Sequence, residues 1–413
     1  MPEETAGLDV YFRDRLVGRL RLDEQRRFAF QYETEWIEDS HAIPISISLP
    51  LRLEPYAADS ARPFFANLLP EGEIRRLITR RFGVSERNDY ALLEKIGGEC
   101  AGAFSVLPQG LRPAESPGYR ALDEDELHNI IAELPRKPLL AGEEGVRLSL
   151  AGAQNKLPVY MESGNVFIAR GNSPSTHIIK LPIPGFKETV ENEAFCMALA
   201  GKTGLLVPGV FIRKNMDILL VVERYDRRRE PDGKVARLHQ EDFCQALGIL
   251  PDQKYESEGG PSFQQCFTLI RESSIRPAAD QKSLLSWVIF NAIIGNADAH
   301  AKNLAILYTA RGPQLAPFYD LLSTQIYPEL SEKYAMKIGG ENRADWLQLR
   351  HWEKLADALS LKKRFVLKTV RDTAAIIISN AEIIAEDFHK SHEDVKIIAK
   401  ILTLIQKRAS AFI

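Results

Sequence analysis

Apolar and polar positions alternate through the first part of this chain and later recur at helical spacing, and that change of period sets the predicted order of elements. From about Leu8 to Ser48 the apolar runs Val10-Tyr11-Phe12, Phe28-Ala29-Phe30 and Ile43-Pro44-Ile45-Ser46-Ile47 sit between charges and predict strands. Pro63 to Pro70 opens a helical stretch that stops at Gly83. Its arginines, Arg75, Arg76, Arg80 and Arg81, read as a solvated helix face, with a basic patch for nucleic acid or a partner as the other reading. Asp89 to Ile96 predicts a helix, Ala101 to Leu107 a strand, and Pro108 to Gly118 a linker. A helix over Asp123 to Leu134 follows. Val146 to Leu150 and Leu157 to Tyr160 predict strands on either side of a small-residue turn. Thr176 to Leu181 reads as a buried strand, Val190 to Ala200 as a helix, and Val210 to Ile212 and Ile218 to Val222 as two more strands. From Leu238 the pattern turns helical, over His239 to Gly248, Phe263 to Glu272, the long apolar core helix Ser283 to Ile294, and the last third from about Asp345. The prediction is an α+β chain: a β-rich domain over 1–110, an α/β region over 119–235, and an all-α C-terminal lobe over 236–413, broken by one hairpin after the core helix.

The densest chemistry lies between that core helix and the predicted strand Leu304 to Tyr308, in the stretch Gly295 to Asn303. Asp298 and Asn303 are spaced like the aspartate and asparagine of a kinase catalytic loop, one to orient an attacking hydroxyl and one to hold magnesium. Asp320, delivered by the turn at Arg311-Gly312-Pro313, can supply the second oxygen ligand that a hard cation takes. A solvated polar loop with Asp298 capping a turn is the plain alternative. Lys180 stands in an apolar strand, where lysine is uncommon unless paired. Kinases place their phosphate-binding lysine on such a strand, ahead of a helix bearing its glutamate partner, here Glu193 in preference to Glu191. In Ala151-Gly152-Ala153-Gln154-Asn155-Lys156 a small-residue turn lets backbone N–H groups approach phosphate oxygens, although a ligand-free hairpin fits the same residues. Glu223-Arg224-Tyr225-Asp226 follows its strand where a kinase hinge meets adenine.

Composition narrows the setting. A chain of 413 residues has room for two or three domains, and a formal net charge of −3 gives no broad attraction to nucleic acid or membrane. The cysteines, Cys100, Cys196, Cys244 and Cys266, show no metal spacing and read as reduced thiols. Met1-Pro2-Glu3-Glu4 is acidic where a signal peptide is basic, and no apolar run is long enough to span a bilayer. These features predict a cytoplasmic protein with no membrane partner.

Taken together, Ser149 to Lys156, Thr176 to Lys180, Glu223 to Arg227, Gln240 to Gln245, Asn296 to Asn303 and Pro317 to Asp320 resemble the HipA-type toxin kinases of bacterial toxin–antitoxin pairs, as does Asn67-Leu68-Leu69-Pro70-Glu71-Gly72. The resemblance implies a two-lobed kinase-like fold and a serine/threonine kinase that uses ATP and Mg2+. It also implies a helix-turn-helix antitoxin partner, DNA contact through that antitoxin, and growth arrest by phosphorylating an aminoacyl-tRNA synthetase such as the glutamyl enzyme. Carried over by motif, Asp298 is the catalytic base, Asn303 and Asp320 the metal ligands, Lys180 the phosphate-binding lysine and Ala151 to Lys156 the phosphate loop. Glu223, Arg224 and Tyr225 become the adenine hinge, while His300, Ala301, Lys302, Asn303 and Tyr319 line the nucleotide site. Ser149 corresponds to the serine that family members autophosphorylate as an off-switch. Unlike ordinary protein kinases, the chain has no His-Arg before Asp298 and no glycine after Asp320, departures shared with the family. The competing readings are a small-molecule phosphotransferase and a catalytically silent co-repressor of the antitoxin.

Overall fold

The computed structural model describes residues 7–113, 118–143, 145–171, 173–392 and 395–413. The acidic N-terminus Met1 to Glu4 and linker positions 114–117 lie outside the described residues.

The first sheet, ordered β3-β2-β1-β4, is antiparallel and contains β1 (Leu8–Phe12), β2 (Arg15–Leu22), β3 (Phe28–Tyr32) and β4 (Phe104–Pro108). Period-two alternation buries Phe28, Phe30 and Tyr32 and leaves Gln31 exposed. Short α1 (Thr34–Ile37) and then α2 (Ala58–Asn67), α3 (Gly72–Phe82) and α4 (Asp89–Ile96) complete this part. Gly83, at φ 65°, closes α3 in the left-handed conformation that glycine adopts freely.

The second sheet runs β5-β7-β6-β8-β10-β9, built from β5 (Gly118–Leu122), β6 (Lys156–Glu162), β7 (Asn165–Arg170), β8 (His177–Lys180), β9 (Val210–Lys214) and β10 (Ile218–Glu223). One face sends Leu157, Ile179, Leu219 and Val221 into the same apolar cluster as Phe30, Phe64 and Phe65 of the first part. The other face meets α6 (Thr189–Lys202), where Leu220 and Val222 pack on Val190 and Ala194. Because side chains alternate, Lys180 lies on the α6 face while its neighbour Ile179 is in the core. Helix α5 (Glu124–Glu133) begins with an Asp123–Glu126 capping box.

Past the ribbon of β11 (Arg227–Arg229) and β12 (Val235–Arg237) the chain forms a mostly helical lobe. Helix α9 (Pro277–Ile294) is its axis: Pro277 starts it, Trp287 and Phe290 are fully buried, and Gly295 at φ 74° stops it. Around it lie α7 (Phe243–Ala246), α8 (Phe263–Ser273), α10 (Leu349–Ala358), α11 (Lys363–Ser391) and α12 (Ile397–Ser410). The lobe also carries a sheet of β13 (Gln240–Asp242), β14 (Ala305–Thr309) and β15 (Gly312–Leu315), and a hairpin of β16 (Lys333–Ile338) and β17 (Glu341–Arg343). The two-lobed α+β, kinase-like architecture is thus present, with more strand in its helical lobe than the apolar pattern predicts.

The helical stretch predicted from Pro63 to Gly83 is divided at 68–71 into α2 and α3, and three further predicted elements differ. Ile43 to Ile47 is irregular: Pro44 interrupts any ladder, Tyr32 Oη accepts from Ile45 N at 2.9 Å, and the segment docks on the helical lobe through Ile47 N donating to Glu241. Val146 to Leu150 makes only a single bridge, Leu148 with Glu99, since it runs beside the first part and joins no sheet. In His239 to Gly248, Gln240–Asp242 pairs with β14, and the helix begins only after Asp242, which caps it in a box with Gln245. Among the described residues no helix is long and apolar enough to cross a membrane. The four cysteines are buried and free.

Candidate active site

Between the lobes is a cleft of about 940 Å³. Lys180 is set in its wall by the antiparallel register that places it opposite Lys156 on one side and Leu220 on the other. Its Nζ lies 2.6 Å from Glu193 Oε1 on α6 and also contacts Asp320 Oδ1. Burial works to lower the Lys180 pKa, but Asp320 and Glu193 outweigh it and hold the ammonium charged. Burial raises Glu193, whereas at Asp320 the charges of Lys180 and Lys156 overcome burial and keep the carboxylate ionised. Asp320 itself has φ 54°, a left-handed conformation that aspartate tolerates better than most residues.

The loop after Gly295 is stapled from three sides. Asn296 Nδ2 donates to Asn291 Oδ1 of α9 at 2.8 Å, Ala297 N to Thr324 Oγ1 at 2.7 Å, and β16 reaches Ala297 O through Ala335 N at 3.0 Å. Asp298 N donates to Asn296 Oδ1 at 3.1 Å and Asn303 Nδ2 to Asp298 O at 3.3 Å, which leaves the Asn303 side-chain oxygen as the group a cation could take. The Asp298 side chain is 51% exposed, open to the cleft, and its Oδ1 accepts from Tyr255 Oη at 2.5 Å. His300 Nε2 is 3.9 Å from the same oxygen, and burial lowers the imidazole pKa to about 4, so the ring is neutral near pH 7. Tyr319 donates to Lys302 O at 2.8 Å and stacks on Tyr225 with centroids 5.8 Å apart, giving the cleft an aromatic corner.

Opposite this loop, Gly152 has φ 105°, and a Cβ there would come within 2.8 Å of Lys156 Nζ. Lys156 donates to Ala151 O at 2.6 Å and Gln154 Nε2 to Leu181 O at 2.9 Å. The predicted site residues line the cleft except Asn155, Ala301 and Ser149. Asn155 is held by its main chain, which accepts from Leu181 N, and Ala301 is fully buried in the core of the helical lobe. Ser149 is likewise fully buried, and its hydroxyl donates to Leu68 O at 2.7 Å. Arg224 borders the cleft, but its guanidinium turns away to Glu99 at 3.0 Å and Asp226 at 2.8 Å, and its main-chain N–H donates to Thr176 O at 2.9 Å.

Residues that local pattern does not reveal complete the site. Glu71 reaches from the first part to Lys302 Nζ at 2.8 Å and Lys254 Nζ at 2.9 Å, and Tyr255 stands over Asp298. Burial works to raise the Glu71 carboxyl, yet Lys302 and Lys254 bring it from 4.5 down to about 2. An acid depressed in the folded state stabilises it above the unfolded pKa, so this contribution is complete above about pH 4.5 and fades as pH falls toward about 2. Glu71→Gln is therefore expected to cost about 3 kcal/mol near neutrality, a gap that closes on acidification. Thermal denaturation of both proteins across that range checks it, and a gap independent of pH would contradict it.

A lysine–glutamate pair under a small-residue loop in one lobe, facing an aspartate–asparagine loop in the other, defines a kinase-like protein. Two families match the sequence, the HipA N-terminal domain over residues 8–107 and the HipA-like C-terminal domain over residues 148–381, and the chain belongs to the HipA family. It is 46% identical over 380 residues to the putative kinase Y4mE of Sinorhizobium fredii, covering 90% of each chain. It is 30% identical over 381 residues to the serine/threonine-protein kinase toxin HipA of Shewanella oneidensis, covering 89% of this chain and 86% of that one. The solved complex of Shewanella oneidensis HipA with HipB and its operator DNA superposes with a TM-score of 0.84 at 29% identity, over 98% of this chain and 96% of the other.

Proposed function

We propose that this chain is an ATP- and Mg2+-dependent serine/threonine protein kinase acting as the toxin of a toxin–antitoxin pair. The observation that carries the proposal is Lys180, held between Glu193 and Asp320 in a cleft that Asp298 faces from the other lobe. The donor set fits a magnesium nucleotide: Asp320 and the Asn303 oxygen are hard ligands, Lys156 and Lys180 supply charge for phosphates, and Tyr225 and Tyr319 offer a flat apolar wall. Bound magnesium would offset charge building on the transferring group. Asp298 orients a serine or threonine hydroxyl and takes its proton as that oxygen bonds the γ-phosphorus and the bond from the γ-phosphorus to the bridging oxygen of ATP breaks, releasing ADP, while Lys180 holds the phosphates in line.

The partner follows from the kinship with Shewanella HipA, which is solved with HipB and operator DNA. A helix-turn-helix antitoxin would carry this chain to DNA, consistent with a net charge of −3 that gives it no general affinity of its own. The acceptor implied by the resemblance is an aminoacyl-tRNA synthetase, the glutamyl enzyme first, whose phosphorylation would arrest translation. Comparing phosphosites in cells with and without a brief pulse of this protein tests the class of acceptor. New phosphoserine or phosphothreonine on a synthetase is expected, whereas phosphate appearing only on metabolites would favour a small-molecule phosphotransferase.

Ser149 gives a second test. Its hydroxyl is buried against Leu68 O, so phosphorylation requires that the segment leave its seat, and the added charge would bar its return. Incubation with ATP is expected to place phosphate on Ser149 and to slow further transfer. Full activity with Ser149 completely phosphorylated would refute the off-switch.

A further inference from the structure

Glu71 occupies the N-cap position of α3, yet its side chain makes no cap there. Serine, threonine, aspartate and asparagine cap helices from that position, whereas the longer glutamate side chain is left to find partners elsewhere. Here the carboxylate crosses to the other lobe and binds two lysines, Lys302 at 2.8 Å and Lys254 at 2.9 Å, with its side chain 17% exposed. Those lysines have telling neighbours. Lys302 precedes Asn303, and Lys254 precedes Tyr255, whose hydroxyl rests on Asp298. The main chain of the same residue faces the phosphate loop: Glu71 N donates to Gly152 O at 3.2 Å, and Pro70 bridges Gly152 in parallel. Gly72, at φ 55°, turns the chain into α3 directly after these contacts and lies against Ala153.

We infer that Glu71 is a positioning residue, through which the first domain sets the catalytic loop and the phosphate loop in register across the cleft. This rests on the kinase reading above. No other charge on the residue's own helix could substitute, because Glu73, the other acid of the first turn, is 60% exposed and pairs with Arg76. Removing the Glu71 charge leaves Lys302 with Asp242, at the longer distance of 4.0 Å, and two ammonium groups converging on an uncharged side chain, so the loops that carry Lys302 and Lys254 separate to relieve it. The catalytic loop, which carries Lys302, is released directly, and the phosphate loop, joined through Gly152 O to the main chain of Glu71, loses its tie to the other lobe and so its alignment with the catalytic loop.

The test uses the full chain and reads amide hydrogen exchange over residues 150–156 and 296–304 alongside phosphoryl transfer. Glu71→Gln is expected to raise exchange in both segments at least about tenfold. It should also lower kcat about a hundredfold, as misplacement of catalytic groups by about an ångström does, with a smaller change in KM for ATP. Glu73→Gln serves as the control and is expected to match the parent. The double variant Glu71→Gln/Lys302→Gln removes both charges of the pair and is expected to lose no more kcat than Lys302→Gln alone. It also covers the case in which Glu71→Gln by itself does not fold. Exchange in both loops equal to the parent, or losses that multiply in the double variant, would overturn the inference. Absence of transfer by the parent would defeat the kinase reading, while the exchange measurement would still decide the role of Glu71.

Discussion

Asp298→Asn is expected to leave nucleotide binding intact and to cut phosphoryl transfer by on the order of a thousandfold or more. Asparagine has the same shape, can still accept the hydrogen bond from Tyr255, and sits at a half-exposed position, so neither the fold nor the phosphate-binding lysines on the opposite wall are disturbed. What it loses is the ability to take a proton from the acceptor hydroxyl. Nucleotide affinity by calorimetry and self-labelling from ATP separate the two effects. Self-labelling as fast as the parent would remove Asp298 from the role of base. A growth effect that survives the substitution would instead favour a silent co-repressor.

Lys180→Met is expected to damage both activity and stability. The ammonium is the counter-charge for Glu193 and for Asp320, and a buried pair that loses one partner typically costs about 3–5 kcal/mol. Burial already raises Glu193, and without Lys180 its carboxyl would rise further. An acid whose pKa is raised in the folded state weakens that state as pH climbs through its folded value, so the variant should melt closest to the parent in acid and farthest from it in alkali. Glu193→Gln added to Lys180→Met should restore much of the melting temperature and none of the transfer. Transfer within tenfold of the parent in Lys180→Met would show that the phosphates are held elsewhere.

The chemistry that was legible in the sequence is local. Asp298 and Asn303 lie in one short loop, Lys180 precedes the helix that carries Glu193, and Asp320 follows the hairpin that delivers it, so spacing marked each as a candidate and the family resemblance implied that they share one site. Glu193 was separable from Glu191 only weakly in the pattern, and the structure decides it through the 2.6 Å contact with Lys180. Glu71 and Tyr255 were not legible as site residues, because the motif Asn67 to Gly72 marks its stretch without saying which side chain reaches across a lobe boundary, and no motif covers Tyr255. The misread elements share one cause. Val146 to Leu150, Ile43 to Ile47 and the start of His239 to Gly248 all have apolar or helical local character, but each is claimed by distant partners, Glu99, Glu241 and β14. Tertiary contacts override local preference most where two parts of the chain meet, which is also where the cleft lies.

The most direct test of the central claim compares ATP labelled at the γ-phosphate with ATP labelled at the α-phosphate, each incubated with purified protein and Mg2+. Covalent retention of the γ-label alone, abolished by chelating the cation and by Asp298→Asn, is the predicted result. Retention of the α-label, or of neither, would contradict it.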